Sequence, residues 1–490
     1  MEQLKILFAA SEVVPFAKSG GLADVAGALP KALKKLGHDV IVVMPRYYIV
    51  DKQKYNLELF EPHLGVDMGV MGQLWAAVYK GYLPNSQVSV YFIEHDAYFG
   101  RKGLYDENGE GFRDNDNRFI FFSKAVMQLA KRLQFHPDVI HANDWHTAPI
   151  PLLLNTTYAF DPNFAHTGSL LSIHNLEHQG KFYKGCMDVL AVGWEHFNHN
   201  ELEEYDGVNL LKGGIVHADA INAVSKKYAQ EIRTSDFGFG LEGLIDKYGY
   251  KLFGILNGVD YDEWSPAIDS LIPQKFDIEN LQGKSECKRV LQDRFGLPQK
   301  SNTPLIGLVG RLAQQKGISL IKQAFDDLMK LDIQIVLLGA GEPWAEEFFI
   351  QKTSQYPQKF ASYIGYDNTI AHQIEAGSDM FLMPSLFEPC GLNQIYSLRY
   401  GTLPIVRATG GLDDTIQNYD SIYKSGNGFK FYDATPQALY DTVAWAVDVY
   451  YNDKLGFETL IKNAMQDRFE WEKAAYGYEG LYKHIIQGRK

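Results

Sequence analysis

The chain has 490 residues, 46% of them hydrophobic, a length and composition that predict two domains, each large enough to bury its own core. A formal net charge of −13 excludes general binding to nucleic acid or adhesion to an anionic membrane, and leaves room for a locally cationic pocket. Three widely spaced cysteines, Cys186, Cys287 and Cys390, form neither a disulfide framework nor a zinc pattern, so a reducing cytoplasm is expected.

The first apolar run, residues 5–10, begins without a basic leader, and no stretch of about 18 apolar residues occurs, so a soluble, unprocessed protein is expected. Lys18-Ser19-Gly20-Gly21-Leu22 follows it and precedes a predicted helix. This glycine turn resembles a phosphate loop but lacks the spacing of a dinucleotide fingerprint. Further β-branched or aliphatic runs at 39–44, 88–93, 138–141, 170–174 and 220–224 alternate with helical stretches, which predicts a largely parallel, doubly wound sheet. The alternation restarts at 305–309 and continues at 334–338, 363–364, 380–383 and 403–406, a second sheet of the same kind.

Between the two series, residues 255–266 carry Asn257-Gly258 and Ser265-Pro266, which punctuate the chain. The expected domains are therefore 1–255 and 256–465, with a C-terminal helix, 466–490, returning to the first. Thr435-Pro436 is a helix start, a cap residue followed by proline, and the pattern beyond it stays helical almost to Lys490. Ser19-Gly20-Gly21-Leu22 is echoed by Thr409-Gly410-Gly411-Leu412, and glycine turns at strand ends of two facing sheets predict a ligand held in a deep cleft.

Several motifs fail their context. Gly238-Phe239-Gly240-Leu241-Glu242-Gly243 matches a nucleotide fingerprint literally but follows a helix-like stretch instead of a strand. The stretch 106–111 resembles the start of a calcium loop, yet the twelfth position is Asn117 in place of glutamate. Asp114-Asn115-Asp116 resembles a metal-holding acidic pair, but an amphipathic stretch follows and helix capping explains it more simply. His141, His146, His174 and His178 lack ligand spacing, so hydrogen bonding to a polar ligand fits them better than zinc.

Four stretches pass. Asn143-Asp144-Trp145-His146 and His174-Asn175 follow predicted strands, where parallel sheets bind ligands, although they could instead cap the next helices. In Gly310-Arg311-Leu312-Ala313-Gln314-Gln315-Lys316-Gly317, Arg311 and Lys316 can converge on one anion such as a diphosphate, or be a solvated surface pair. Residues 384–394 place Glu388 in a Pro- and Gly-bounded loop before a helix whose free amides suit an anion; a simple helix cap is the alternative.

Taken in order along nearly the whole chain, these stretches resemble the bacterial glycogen synthase and plant starch synthase family. The resemblance implies an α/β, GT-B architecture of two Rossmann-like domains, a retaining transfer of glucose from ADP-glucose to an α-1,4-glucan, and no cofactor or metal. It implies that Arg311 and Lys316 neutralise the leaving diphosphate while Gly391, Leu392 and Asn393 present main-chain donors to it. Tyr366 would stack on the base; His174, Asp144 and Asn257 would contact the glucose. Glu388 would orient the sugar and support oxocarbenium charge, and Lys18, with Gly20 and Gly21 in its turn, would approach the donor. Asn393 stands where the family often has Ser or Thr, and Tyr396 stands where the wider two-domain transferases carry a second glutamate. Front-face substitution therefore fits better than double displacement. The rivals are a UDP-glucose transferase of the same architecture, a nicotinamide-dependent oxidoreductase, which would need a fingerprint neither half provides, and a non-catalytic glucan-binding regulator.

Overall fold

Aliphatic runs too short for helices, each followed by a helical stretch, pair side by side into two sheets. The computed structural model describes residues 3–107 and 109–489. The chain divides into two compact units: one runs to Gly258 and is completed by the segment from Trp471 onward, and the other is Val259–Glu470. No helix among the described residues is long and apolar enough to cross a membrane.

The first unit holds a nine-stranded sheet in the order Leu252–Gly254, Ala220–Ala223, Gly168–Ile173, Val139–Asn143, Lys5–Ala9, Asp39–Pro45, Ser89–Glu94, Gln73–Tyr82 and Glu58–Asp67. The first seven pair in parallel and are covered on both faces, so Asp39–Pro45 is buried at every position after Asp39. The last two form an antiparallel hairpin on the edge that the sequence reading misses. Its outer strand contains Pro62 and two register shifts around Glu61, features tolerated at a sheet edge that break up the apolar alternation. A small sheet of Lys181–Tyr183, Gly207–Asn209 and Glu203–Glu204 was also not anticipated.

The second unit holds six parallel strands, ordered Phe360–Ile364, Gln334–Gly339, Leu305–Val309, Met380–Met383, Leu403–Arg407 and Phe429–Phe431. Counted along the chain this is 3-2-1-4-5-6, the doubly wound order, and it reverses between Leu305–Val309 and Met380–Met383. The first unit reverses likewise between Lys5–Ala9 and Val139–Asn143. Loops leaving the carboxyl ends of such a pair diverge to opposite faces and open a crevice.

The helical tail is three helices instead of one continuous pattern. Thr435 accepts from the amide of Ala438 at 3.2 Å and starts Pro436–Asn452; Asp453 then breaks the chain and caps Lys454–Gln466 by accepting from Gly456 at 3.0 Å. The third helix, Trp471–Arg489, packs on the first unit. There Tyr478 accepts from Asn222 at 2.9 Å, Arg489 grips Asp219 through two 2.9 Å bonds, and Tyr482 bonds the Nδ1 of His141 at 2.8 Å.

His141 is thereby a satisfied core histidine, its other nitrogen on Ser172 at 2.7 Å, and burial pushes its pKa well down. Asp114 sits at a helix N-cap position as expected, but its carboxylate forks onto Arg101 at 2.7 and 2.6 Å instead of capping the backbone. In the calcium-like stretch, Asp106–Glu107 and Glu110–Gly111 pair as a hairpin, and Asn108 lies outside the described residues. Gly238 to Gly243 follows the short helix Lys226–Glu231 and runs into the start of another, Glu242–Lys247, with no strand directly before it. Tyr482→Phe leaves one nitrogen of the buried His141 without its partner and is expected to cost about 1–3 kcal/mol, read from chemical denaturation of the full chain.

Candidate active site

In the second unit, the turn after Leu305–Val309 and the loop after Met380–Met383 interlock at the strand-order reversal. Gly317 sits at φ +72°, and a Cβ there would lie 2.0 Å from the carbonyl oxygen of Pro384, so only glycine lets the two loops meet. The amide of Leu386 donates to Gln315 O at 2.8 Å, the Gln315 side chain donates to Phe387 O at 3.3 Å, and Arg407 donates to Leu386 O at 2.6 Å. Behind them Gly410, at φ +45°, passes so close to Glu388 that a Cβ would meet its carbonyl oxygen at 2.0 Å. The echo of the N-terminal glycine turn thus buttresses the Glu388 loop.

This scaffold brings Arg311, Lys316, Glu388, Gly391, Leu392 and Asn393 around one cavity of about 100 Å³. Lys316 Nζ lies 2.6 Å from Glu388 Oε2, and the Ser385 hydroxyl donates to the same oxygen at 2.9 Å. Arg311 donates to Gln315 Oε1 at 3.0 Å and stays exposed. Gly391, at φ +72°, and Leu392 lead into the helix Asn393–Arg399, whose first amides have no intrahelical acceptor. The Asn393 side chain donates to Val309 O at 2.9 Å, so it ties the helix start to the first strand and leaves main-chain groups to face the cavity. Two cations, one paired carboxylate and a helix start make a site for an anion. Among the described residues its wall carries no histidine or cysteine and only the one carboxylate.

Tyr396 is no substitute for a second carboxylate: it is buried and stacks on Trp264 at 4.0 Å with planes 6° apart. Tyr366 is 76% exposed, its hydroxyl on Asn368 at 3.1 Å, and does not line the cavity.

The first unit builds a second constellation at its own reversal. Glu12, just past the first strand, accepts from the amides of Ser19 and Gly20, the latter at 3.1 Å, from the Ser19 hydroxyl at 3.0 Å and from the Tyr105 hydroxyl at 3.2 Å. It holds the glycine turn at the start of the helix Gly21–Lys35. Lys18 is bonded to Asp24 on that helix at 2.7 Å. Asn143 donates to Ala9 O at 3.0 Å, which orients its amide so that its oxygen faces His174 Nε2 at 2.9 Å. The proton therefore sits on Nε2, and Nδ1 is the acceptor. Burial pushes the pKa of His174 down to about 3, so the ring is neutral near pH 7.

Asp144 adopts φ +54°, a left-handed conformation that Asp tolerates better than most residues. Its carboxylate accepts from the amides of His174 at 2.7 Å and Asn175 at 3.4 Å, joining the two strand-end loops. Asn257 is buried with no hydrogen-bond partner for its side-chain oxygen. The sequence reading gives no site role to Glu12, Gln315 or Ser385, and it names Asn143 only within the stretch Asn143 to His146. Glu12 was detectable as a carboxylate directly after an apolar strand, and Ser385 as a hydroxyl three positions before Glu388.

A family model described as the starch synthase catalytic domain matches residues 5–247, and one described as glycosyl transferases group 1 matches residues 291–455. Over 489 residues the chain is 54% identical to glycogen synthase 1 of Geobacter metallireducens, covering all of this chain and 97% of that one. The chain belongs to the glycogen synthase and starch synthase family. It is also 45% identical over 487 residues to the glycogen synthase of Bacillus anthracis, 99% of this chain and 100% of the other. The catalytic domain of starch synthase IV from Arabidopsis thaliana, solved bound to ADP and acarbose, superposes with a TM-score of 0.91 at 32% identity over 99% of this chain and 100% of that one. Sucrose-phosphate synthase from Thermosynechococcus elongatus, at TM-score 0.61 and 16% identity over 99% of each chain, shares the fold. The protein is thus a hexosyltransferase of GT-B fold, which removes the oxidoreductase and the non-catalytic regulator.

Burial pushes the Asp144 carboxyl up to about 7, against the two amides that lower it. A carboxyl raised above its unfolded value of about 3.9 contributes stability that is full below pH 4 and lost as pH rises through 7. Asp144→Asn keeps an oxygen acceptor and removes that titration. The variant is expected to gain about 2 kcal/mol relative to the parent between pH 5 and 8 in urea unfolding. A difference independent of pH would refute the assignment.

Proposed function

We propose that the protein elongates an α-1,4-glucan by transferring glucose from ADP-glucose to its non-reducing end, with retention of configuration. The observation that carries this reading is the cavity in which Arg311, Lys316, Glu388 and the start of the helix Asn393–Arg399 converge, in a chain of this family.

As the bond between glucose C1 and the β-phosphate oxygen breaks, its electron pair moves to the diphosphate. The charge that grows there lies beside two fixed cations and the amides of Gly391, Leu392 and Asn393, which stabilise it more than the ground state. The acceptor's 4-hydroxyl oxygen bonds C1 on the same face and gives its proton to the departing phosphate. Glu388 has no carboxylate partner in the cavity wall, and Tyr396 is held in an aromatic stack, so a covalent glycosyl-enzyme step lacks its second carboxylate. Glu388, anchored by Lys316 and Ser385, orients the sugar and balances oxocarbenium charge.

His174 and Asp144 are read as contacts of the transferred glucose, the former through its acceptor Nδ1, and Asn257 through its unpartnered oxygen. Tyr366, exposed past a strand end, is read as the platform for the base. Lys18 would exchange Asp24 for the donor, with Gly20 and Gly21 allowing close approach. No step calls for a metal or other cofactor. The cysteines at positions 186, 287 and 390 form no disulfide among the described residues, which supports a reducing, cytoplasmic setting.

Arg311→Gln and Lys316→Gln are each expected to lower kcat roughly 100- to 1000-fold with the melting temperature little changed, by analogy with loss of one oxyanion donor. Glu388→Ala should abolish most glucan synthesis, and full activity in that variant would remove it from the mechanism. Incorporation of labelled glucose should be far greater from ADP-glucose than from UDP-glucose; the reverse preference would overturn the donor assignment.

A further inference from the structure

Away from the anion cavity, in the first unit, His196, Glu201 and His217 meet. His196 ends a short turn, Trp194–His196; Glu201 lies just before the strand Glu203–Glu204; His217 ends the helix Leu210–His217. Their ligand atoms all fall within 4.8 Å of one another. One oxygen, Glu201 Oε2, faces both rings: His196 Nδ1 at 2.6 Å and His217 Nε2 at 2.9 Å. The three side chains keep 21%, 24% and 13% of their surface, enough for one outside ligand and too little for free hydration.

We propose that His196, Glu201 and His217 form a structural site for a divalent transition-metal ion of the zinc class, with water as the fourth ligand. Two imidazoles and a carboxylate are a donor set that zinc accepts, and the chemistry disfavours calcium or magnesium, which prefer all-oxygen ligands. Zinc bond lengths of about 2.0–2.1 Å place tetrahedral ligands roughly 3.3 Å apart. The two short edges of this triangle therefore need to open by less than about 1 Å for an ion to replace the two imidazole protons that now point at the carboxylate.

The surroundings suit that exchange. Asn198 donates to the other oxygen, Glu201 Oε1, at 3.2 Å and fixes the carboxylate plane, as outer partners of metal ligands do. Lys251 also faces this end of the helix, its ammonium bonded to the carbonyls of Val216 and Ala218 at 2.9 Å and closer than a usual contact at 2.5 Å. The ion would fasten the segment that links two strands of the small sheet, Lys181–Tyr183 and Glu203–Glu204, to the helix Leu210–His217 that follows its last strand, Gly207–Asn209.

The test is titration of the full chain, made without a polyhistidine tag and stripped with chelator, with Zn2+ in a calorimeter and with Co2+ by visible absorption. The parent should bind one ion, give a tetrahedral Co2+ spectrum and melt at higher temperature with Zn2+. Glu201→Gln, which keeps an acceptor for both rings, and His217→Ala should each weaken binding by 100-fold or more, and Asn198→Ala by about 10-fold. Melting of the ion-free variants establishes that they fold. Glucan synthesis should survive chelation, because the site lies outside the cavity. Absence of a bound ion in the parent, or equal affinity in Glu201→Gln and His217→Ala, would overturn the proposal and leave a hydrogen-bonded His-Glu-His cluster.

Discussion

In the second unit everything near the cavity depends on one bonded pair, Lys316 with Glu388, placed where two adjacent parallel strands send their loops to opposite faces. The strand order opens the crevice, and the pair occupies it. The charges come from loops 72 residues apart in sequence, so their approach requires the backbones themselves to touch. Gly317 against Pro384 and Gly410 against Glu388 make that possible, each at a spacing no side chain allows. Hydrogen bonds from Gln315, Ser385 and Arg407 then hold the loops. The lysine reaches its position largely through glycine and main-chain packing.

The pair also explains how an acidic protein presents an anion site. A chain of net charge −13 repels anions at long range, so attraction has to be local. Arg311 and Lys316 supply it at the cavity wall, with the main-chain donors that lead into Asn393–Arg399. Neutral His174, held in one tautomer by Asn143, and Asp144, raised toward neutrality by burial, keep the first unit's constellation low in charge.

Strand positions and site loops were legible because both are local. A run such as residues 305–309 is apolar at every position, since a parallel strand is covered on both faces, and the loop after it announces itself by glycine and basic residues. The edge hairpin was not legible because Glu58–Asp67 carries Pro62 and exposed charges. The break at Asp453 between two tail helices was not legible because a single residue scarcely disturbs helical periodicity.

Residue type and order along the chain were sufficient by themselves to indicate two doubly wound sheets and the ordered family motifs, and to nominate Arg311, Lys316, Glu388 and Asn393, which the fold brings around one cavity. Partnership was decided only by tertiary structure. Lys18 sits on Asp24, His141 belongs to the core through Tyr482, Ser385 supports Glu388, and His196 and His217 share Glu201. Composition and periodicity report the environment of a position, whereas a hydrogen bond needs a distance, and distances between remote residues follow from strand order and loop packing.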